Sequence, residues 1–220
     1  FHLHNDKGGQ YRYSYYKLTA DIKVTSMAGK NNNDNAFKGI FDGNGHTMTL
    51  NLTTDGSSNF FAPFRYVGGS TFKRLHIAGK ITSNSYYVAS LVGYHRWGTL
   101  NIYNCWSSVD IVCTKKTDNS FNAGFVGYSY DSNINININN CRFDGSLQGA
   151  ETGGCSGFVG QRNSNSSLMK ISNCLFAPTQ LTVATDNSYT FAYKSDVNTN
   201  NYYTTPLGKE QGTAIGNMTD

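Results

Sequence analysis

Ala123-Gly124-Phe125-Val126-Gly127-Tyr128 decides the fold, because its frame recurs along the chain. A small residue, a large apolar one, Val, Gly and an aromatic or polar residue return as Ala89-Ser90-Leu91-Val92-Gly93-Tyr94 and as Ser156-Gly157-Phe158-Val159-Gly160-Gln161. A degenerate copy stands at Ala62-Pro63-Phe64-Arg65-Tyr66. The matching positions are 63, 91, 125 and 158, so the steps are 28, 34 and 33 residues. Periods of that size belong to solenoids, where one repeat cannot bury its apolar face alone and stacked repeats build a continuous core.

A second motif runs in phase with the first: Ile102-Tyr103-Asn104-Cys105, Ile138-Asn139-Asn140-Cys141 and Ile171-Ser172-Asn173-Cys174, with Phe72-Lys73-Arg74-Leu75 as an earlier relative. A third, weaker element follows each: Val109 to Ile111, Phe143 to Leu147 and Phe176 to Leu181. Each unit therefore holds three short apolar runs separated by Gly, Asn or Asp turns. Within them Asn133 to Ile138 alternates polar and apolar, the period of a strand with one buried face. No helix of ten residues fits in a unit. Three strands per repeat describe one coil of a parallel β-helix, whose successive coils lie about 4.8 Å apart.

The expected fold is all-β: a single-stranded right-handed parallel β-helix of roughly five to six coils of about 33 residues. Stacking would pile Leu91, Phe125 and Phe158 into one internal ladder, Ile102, Ile138 and Ile171 into another, and Leu100, Ile136 and Met169 into a third. Asn104, Asn140 and Asn173 fall where one strand bends into the next. Asn tolerates left-handed backbone, and its amide can bond to the copy one coil away. Cys105, Cys141 and Cys174 follow the asparagines inward as small buried hydrophobes with free thiols, since identical side chains stacked in parallel seldom meet disulfide geometry.

Composition agrees. Gly, Asn, Ser and Thr supply about two-fifths of the 220 residues and charged residues only 15%, which excludes a helical bundle. With 15 Tyr and 13 Phe the chain can bury enough surface to order itself. A net charge of +4 with scattered basic groups makes no phosphate-neutralising stripe, so nucleic acid is not an expected partner. No apolar stretch reaches transmembrane length, and direct membrane insertion is not expected. One domain covers 1–220: 1–36 as an N-terminal strand and cap region containing Tyr11, Tyr13, Tyr15 and Tyr16, 37–190 as the regular coils, and 191–220 as a C-terminal coil leading out to a further domain.

These motifs carry a resemblance. The repeat frame, with Tyr16-Lys17-Leu18-Thr19-Ala20-Asp21-Ile22, Phe37-Lys38-Gly39-Ile40-Phe41-Asp42-Gly43-Asn44-Gly45-His46-Thr47 and Asn201-Tyr202-Tyr203-Thr204, resembles the GLUG-motif repeat region of gut-bacterial cell-surface proteins. The resemblance implies a right-handed parallel β-helix on secreted, surface-attached, adhesin-like proteins. Pro63 and Arg65 depart from the first GxVG copy, and Asn201 stands where the pattern asks for Cys.

The architecture also hosts polysaccharide lyases and glycoside hydrolases, so a carbohydrate-active enzyme is the alternative reading. Glycoside hydrolysis needs two positioned carboxylates. The most enzyme-like cluster, Asp42 with His46, reads better as a tight Asp-Gly-Asn-Gly turn. Asp110, Asp131 and Asp144 occupy different repeat offsets, so no convergent pair is expected. No metal site and no cofactor are expected, because oxygen-ligand loops and Cys/His spacings are lacking.

A binding surface is the better functional expectation. The turns after the GxVG copies carry Tyr94, Arg96 and Trp97, then Tyr128 and Tyr130, then Arg162. Stacking lines these up as one edge suited to a glycan or a host surface protein. Exposure of Trp97 would favour a ligand there, and burial under the Lys115 to Asn119 loop would favour packing. The expected role is a non-catalytic extracellular module, a spacer or adhesive domain.

Overall fold

Short apolar runs punctuated by Asn and Gly cannot make helices; they make coils that bury alternate side chains. The computed structural model of the chain describes residues 10–29, 36–54, 59–115, 120–130, 134–149, 154–162, 168–195 and 199–216. Thr47–Thr54 shows the logic: Met48, Leu50 and Leu52 point into the core while Thr49, Asn51 and Thr53 face water. Every named strand pairing is parallel, as coil-on-coil stacking requires. The result is an all-β parallel solenoid of about five turns with a repeat of ~31 residues.

One coil shows all four sheets: Tyr87–Ala89 in the first, Val92–His95 in the second, Gly98–Tyr103 in the third and Trp106–Cys113 in the fourth. The expected three strands per repeat are thus corrected to four. The GxVG run does not cross as one strand; it breaks at Ser90-Leu91, and its equivalents Gly124-Phe125 and Gly157-Phe158, into the ends of two strands in different sheets.

The internal ladders stand in the expected register. Ile102 pairs with Ile138 and Ile138 with Ile171, extended backwards by Phe72 and Phe41; Leu100, Ile136 and Met169 form a second row. Phe125, Phe158 and Phe191 follow one another at centroid distances of 5.1 Å. Each fully buried Ile, Leu or Phe rung contributes roughly 1.5–3 kcal/mol, so one core running the length of the solenoid supplies the cohesion.

The corner between the third and fourth sheets is left-handed in successive coils, at Asn44, Arg74, Asn104, Asn140, Asn173 and Asn200, with φ from 52° to 62°. The asparagines form the ladder: Asn140 Nδ2 donates to Asn104 Oδ1 at 2.6 Å and Asn200 Nδ2 to Asn173 Oδ1 at 3.2 Å. Asn201 occupies the cysteine position and does its work by hydrogen bonding, taking the Cys174 N–H at 3.1 Å and donating to the Ile171 carbonyl at 2.6 Å. Cys105, Cys141 and Cys174 are buried and free, as are Cys113 and Cys155.

Both ends carry strands of the stack. Within 1–36, Tyr15–Lys17 and Ile22–Val24 pair in register with Ile40–Asp42 and Thr47–Thr54. Tyr202–Tyr203 and Thr213–Ala214 continue the fourth sheet as a C-terminal coil. Tyr13 stands in a short 3-10 turn, Gln10–Tyr13, before the first strand.

Candidate functional site

The expected aromatic edge exists, but its rings face one another. The second-sheet register places Tyr66, Tyr94, Tyr128 and Gln161 in one column, next to a first-sheet column of Phe60, Tyr87 and Phe121. The columns interlock. Phe60 stacks on Tyr94 at 4.6 Å, Tyr87 lies 4.4 Å from Tyr128, and the Tyr87 hydroxyl donates to Gln161 Oε1 at 2.8 Å.

Glycine permits this. The strand register skips Gly93 and Gly127, and the break in alternation leaves Val92 and Val126 in the main core while Tyr94 belongs to a separate cluster with Tyr66 and Ala36. A Cβ on Gly93 would stand 2.9 Å from the Arg65 carbonyl and 3.3 Å from Phe60 Cβ, and one on Gly127 would stand 3.3 Å from Tyr87 Cβ.

The six expected edge residues therefore separate. Tyr94 is buried at 8% exposure and cannot present a face to a ligand, which corrects its place on the exposed edge. Tyr94 and Tyr128 lie within strands, not in the turns after them. Trp97 is partly buried, over Gly68 of the preceding coil and with Lys38 Nζ 4.9 Å from its ring. It thus packs against the earlier coil; residues 116–119 of the loop named as its cover are outside the described residues. Arg96 lies 5.6 Å from the Trp97 ring. Arg162 donates through Nη1 to Ser195 Oγ at 3.0 Å. Tyr130, 47% exposed and stacked on Tyr128 at 6.0 Å, is the one ring of the six that opens broadly to solvent.

Between them lies His95, fully buried, which sequence reasoning passed over as a turn residue. Its Nε2 lies 3.2 Å from the Trp97 carbonyl and its Nδ1 3.3 Å from Ser129 Oγ. A carbonyl only accepts, so Nε2 carries the proton and Nδ1 accepts the hydroxyl. Burial lowers the imidazole to about 4, so it is neutral at physiological pH and ties the turn to the core.

A different surface gathers more chemistry. At the asparagine corner, Asn104 and Trp106 splay outward on either side of the inward Cys105, and the next coils repeat this with Asn140 and Arg142, then Asn173 and Leu175. The divergence leaves a groove of about 340 Å³ running across three coils, with Cys105 and Cys141 at its floor. Trp106 is 40% exposed. His76, one coil before it, stacks on its ring at 3.9 Å and 12°, and the Arg142 guanidinium lies 5.3 Å from it. The indole N–H donates to Asp144 Oδ1, and Asp144 Oδ2 also receives Arg142 Nη2 at 2.5 Å. His76 is anchored in turn, with Nε2 at 2.8 Å from Ser108 Oγ and Nδ1 at 3.3 Å from Thr47 Oγ1; burial depresses its protonation. These contacts join residues about 30 apart through the strand register, and the sequence signal that could have found them is the single repeat-to-repeat row His76, Trp106, Arg142.

The Asp42 cluster is a corner, as expected. Asp42 is buried and its carboxylate accepts from Arg74 Nε at 3.0 Å, the Tyr15 hydroxyl at 2.6 Å and the Asn44 N–H at 2.9 Å, with Lys73 Nζ at 3.6 Å. The Arg74 hydrogen bonds hold its carboxyl well below the ordinary range. His46 is turned away to Asp21, 3.3 Å from its Nδ1. Among the described residues no group of three or more His, Cys, Asp or Glu is arranged to hold a metal ion, and no helix is long and apolar enough to cross a membrane.

No family model matches the chain, the GLUG repeat included, and no curated protein matches it. A solved structure from Bacteroides ovatus, named a "putative immunoglobulin A1 protease", is similar at a TM-score of 0.53 and 14% identity, over 92% of this chain and 77% of that one. At such identity the likeness shows the fold alone: a β-solenoid.

Proposed function

We propose that this chain is a non-catalytic extracellular module of a larger bacterial surface protein, a spacer or adhesive domain related to the GLUG-motif repeats that its Asn-Cys and GxVG motifs resemble. The observation that carries this reading is the state of four aspartates among the described residues. A glycosidase needs one carboxyl protonated and poised above its ordinary pKa. Here Asp42 is bound by Arg74 and Tyr15, Asp144 by Arg142 and Trp106, and Asp110 accepts from Ser146 Oγ at 2.7 Å. Asp42 and Asp21 are both held low, Asp21 chiefly by the Thr47 N–H. Carboxylates bound in this way serve as structural acceptors.

The name of the Bacteroides ovatus protein favours asking whether this chain cuts peptides, and the Ser108–His76 contact is the place to ask. Its remaining ring nitrogen meets a threonine hydroxyl rather than a carboxylate, and the ring is covered by Trp106, which suits a structural hydrogen bond. The test is twofold. Incubation with pectic, xylan and mannan polysaccharides should release no reducing ends or unsaturated uronates, and a fluorophosphonate probe should leave Ser108 unlabelled. Antibody against this domain should also label intact cells of the source bacterium. Product release, Ser108 labelling or signal only after lysis would each overturn the reading.

A further inference from the structure

We propose that the groove between the asparagine ladder and the Trp106–Arg142–Leu175 row binds a neutral saccharide chain, running across the coils. The proposal rests on the adhesive form of the function above and moves the site off the Tyr94–Trp97 edge.

The chemistry of the walls selects the ligand class. An anion would need an uncommitted cation, but the Arg142 guanidinium is already paired with Asp144 at 2.5 Å. A cation would need a spare carboxylate, yet Asp144 already accepts from both Arg142 and the Trp106 indole. What the groove offers is neutral. One wall is a row of exposed carboxamides, Asn104, Asn140 and Asn173, repeating at the coil spacing of about 4.8 Å. The other presents the exposed indole rim of Trp106 and the Leu175 side chain. Amides that can both donate and accept match vicinal hydroxyls, and indole and aliphatic carbon match the C–H faces of a sugar ring.

The groove is also held in advance. His76 stacked on Trp106, the indole bond to Asp144 and the Asn140-to-Asn104 amide bond each fix a wall before any ligand arrives. The neutral polar surface continues onto the third sheet, where Asn137 Nδ2 donates to Asn101 Oδ1 at 2.9 Å and Asn139 Nδ2 to Ser172 Oγ at 2.8 Å. Ordered walls spare the entropy that a mobile surface would lose on binding.

Affinity electrophoresis tests this through native gels cast with xyloglucan, galactomannan, arabinoxylan or, as the charged control, polygalacturonate. The chain should be retarded by at least one neutral polysaccharide. Trp106→Ala should weaken that retardation by about tenfold or more in apparent affinity. Asn140→Gly, which removes the amide while keeping the left-handed corner, should weaken it as well, so the result does not depend on Trp106→Ala folding. Tyr130→Ala, on the aromatic edge, should bind as the parent does. Retardation by no neutral polysaccharide, retardation by polygalacturonate alone, or retardation unchanged in both groove variants overturns the site. None of these outcomes touches the cell-labelling and product-release results, on which the surface-module reading stands or falls separately.

Discussion

Acidification should destabilise this protein through His95. The group is buried in the second sheet between the register positions of Val67 and Ser129 and is neutral in the fold, with a value of about 4 against an ordinary 6.5. In the unfolded chain it takes up a proton as pH falls through about 6.5, whereas the folded chain resists until about 4. The unfolded state therefore binds more protons across that window, and stability must fall with pH. The interval from 6.5 to about 4, at about 1.4 kcal/mol per pH unit, amounts to roughly 3 kcal/mol, fully present above pH 6.5 and gone by about 4. Urea unfolding followed by circular dichroism at several pH values between 7 and 4 measures the loss, and His95→Val isolates it. Valine is a fair replacement because Val67 occupies the same row one coil earlier. The variant should be less stable at neutral pH, since the Trp97 carbonyl loses its donor, at a cost of about 1–3 kcal/mol. It should also lose about 3 kcal/mol less than the parent on acidification. His76 and the carboxylates are common to both proteins and cancel in the difference. Parallel stability curves for parent and variant between pH 7 and 4 would refute the reasoning, because they would mean that His95 is protonated as easily in the fold as out of it.

Three further outcomes are expected. Asn140→Ala should cost about 1–2 kcal/mol in denaturant melts, because a Cβ-bearing residue other than Asn is strained at φ 55°, while Asn140→Gly should cost markedly less; equal losses would show that the amide bond and not the backbone matters. Asp42→Asn should cost about 2 kcal/mol at pH 7, since it removes the charge and turns one acceptor oxygen into a donor in a charge-assisted pair whose Arg74 partner is still about half in water. Because the folded Asp42 carboxyl sits far below its ordinary value, that stabilising contribution should persist down to about pH 4 and fade only under stronger acid; a parent–variant difference that vanishes between pH 6 and 5 would contradict the ion pair. All five thiols should alkylate in denaturant without reductant and resist alkylation in the native protein, with Cys155, pushed up to about 12 by burial, among the slowest; mass spectrometry that finds a Cys141–Cys174 cross-link would overturn the free-thiol ladder.

How much of this was legible in advance follows from which interactions are local to a repeat. The ~33-residue recurrence announced coils, and once coils are stacked in parallel the inward rows of Ile102, Ile138 and Ile171 or Leu100, Ile136 and Met169 follow from alternation alone. The asparagine ladder was legible for the same reason: a corner that needs left-handed backbone at one point of the repeat needs it in every coil. Alternation failed where a glycine interrupts it. Counting by twos from Val92 puts Tyr94 on the core side, and reading Tyr94 as a turn residue puts it in solvent; the skip at Gly93 does neither and folds its ring onto Phe60.

Trp97 and Trp106 show the remaining gap. Both follow a strand-ending motif, and nothing in either local sequence says which is covered. Tertiary structure decides it, because a side chain on an outer face is buried or bare according to what the coils before and after place beside it. For Trp97 the preceding coil supplies Gly68 and the coil before that supplies Lys38, a hollow that accepts the ring. For Trp106 the neighbouring coils supply His76 and Arg142, which stack along the row and leave the indole rim toward the groove. Repetition in the sequence thus determines the coil and its interior, where each position meets copies of itself. The outer surface is decided only when unlike residues about 30 positions apart are brought within one strand spacing of each other.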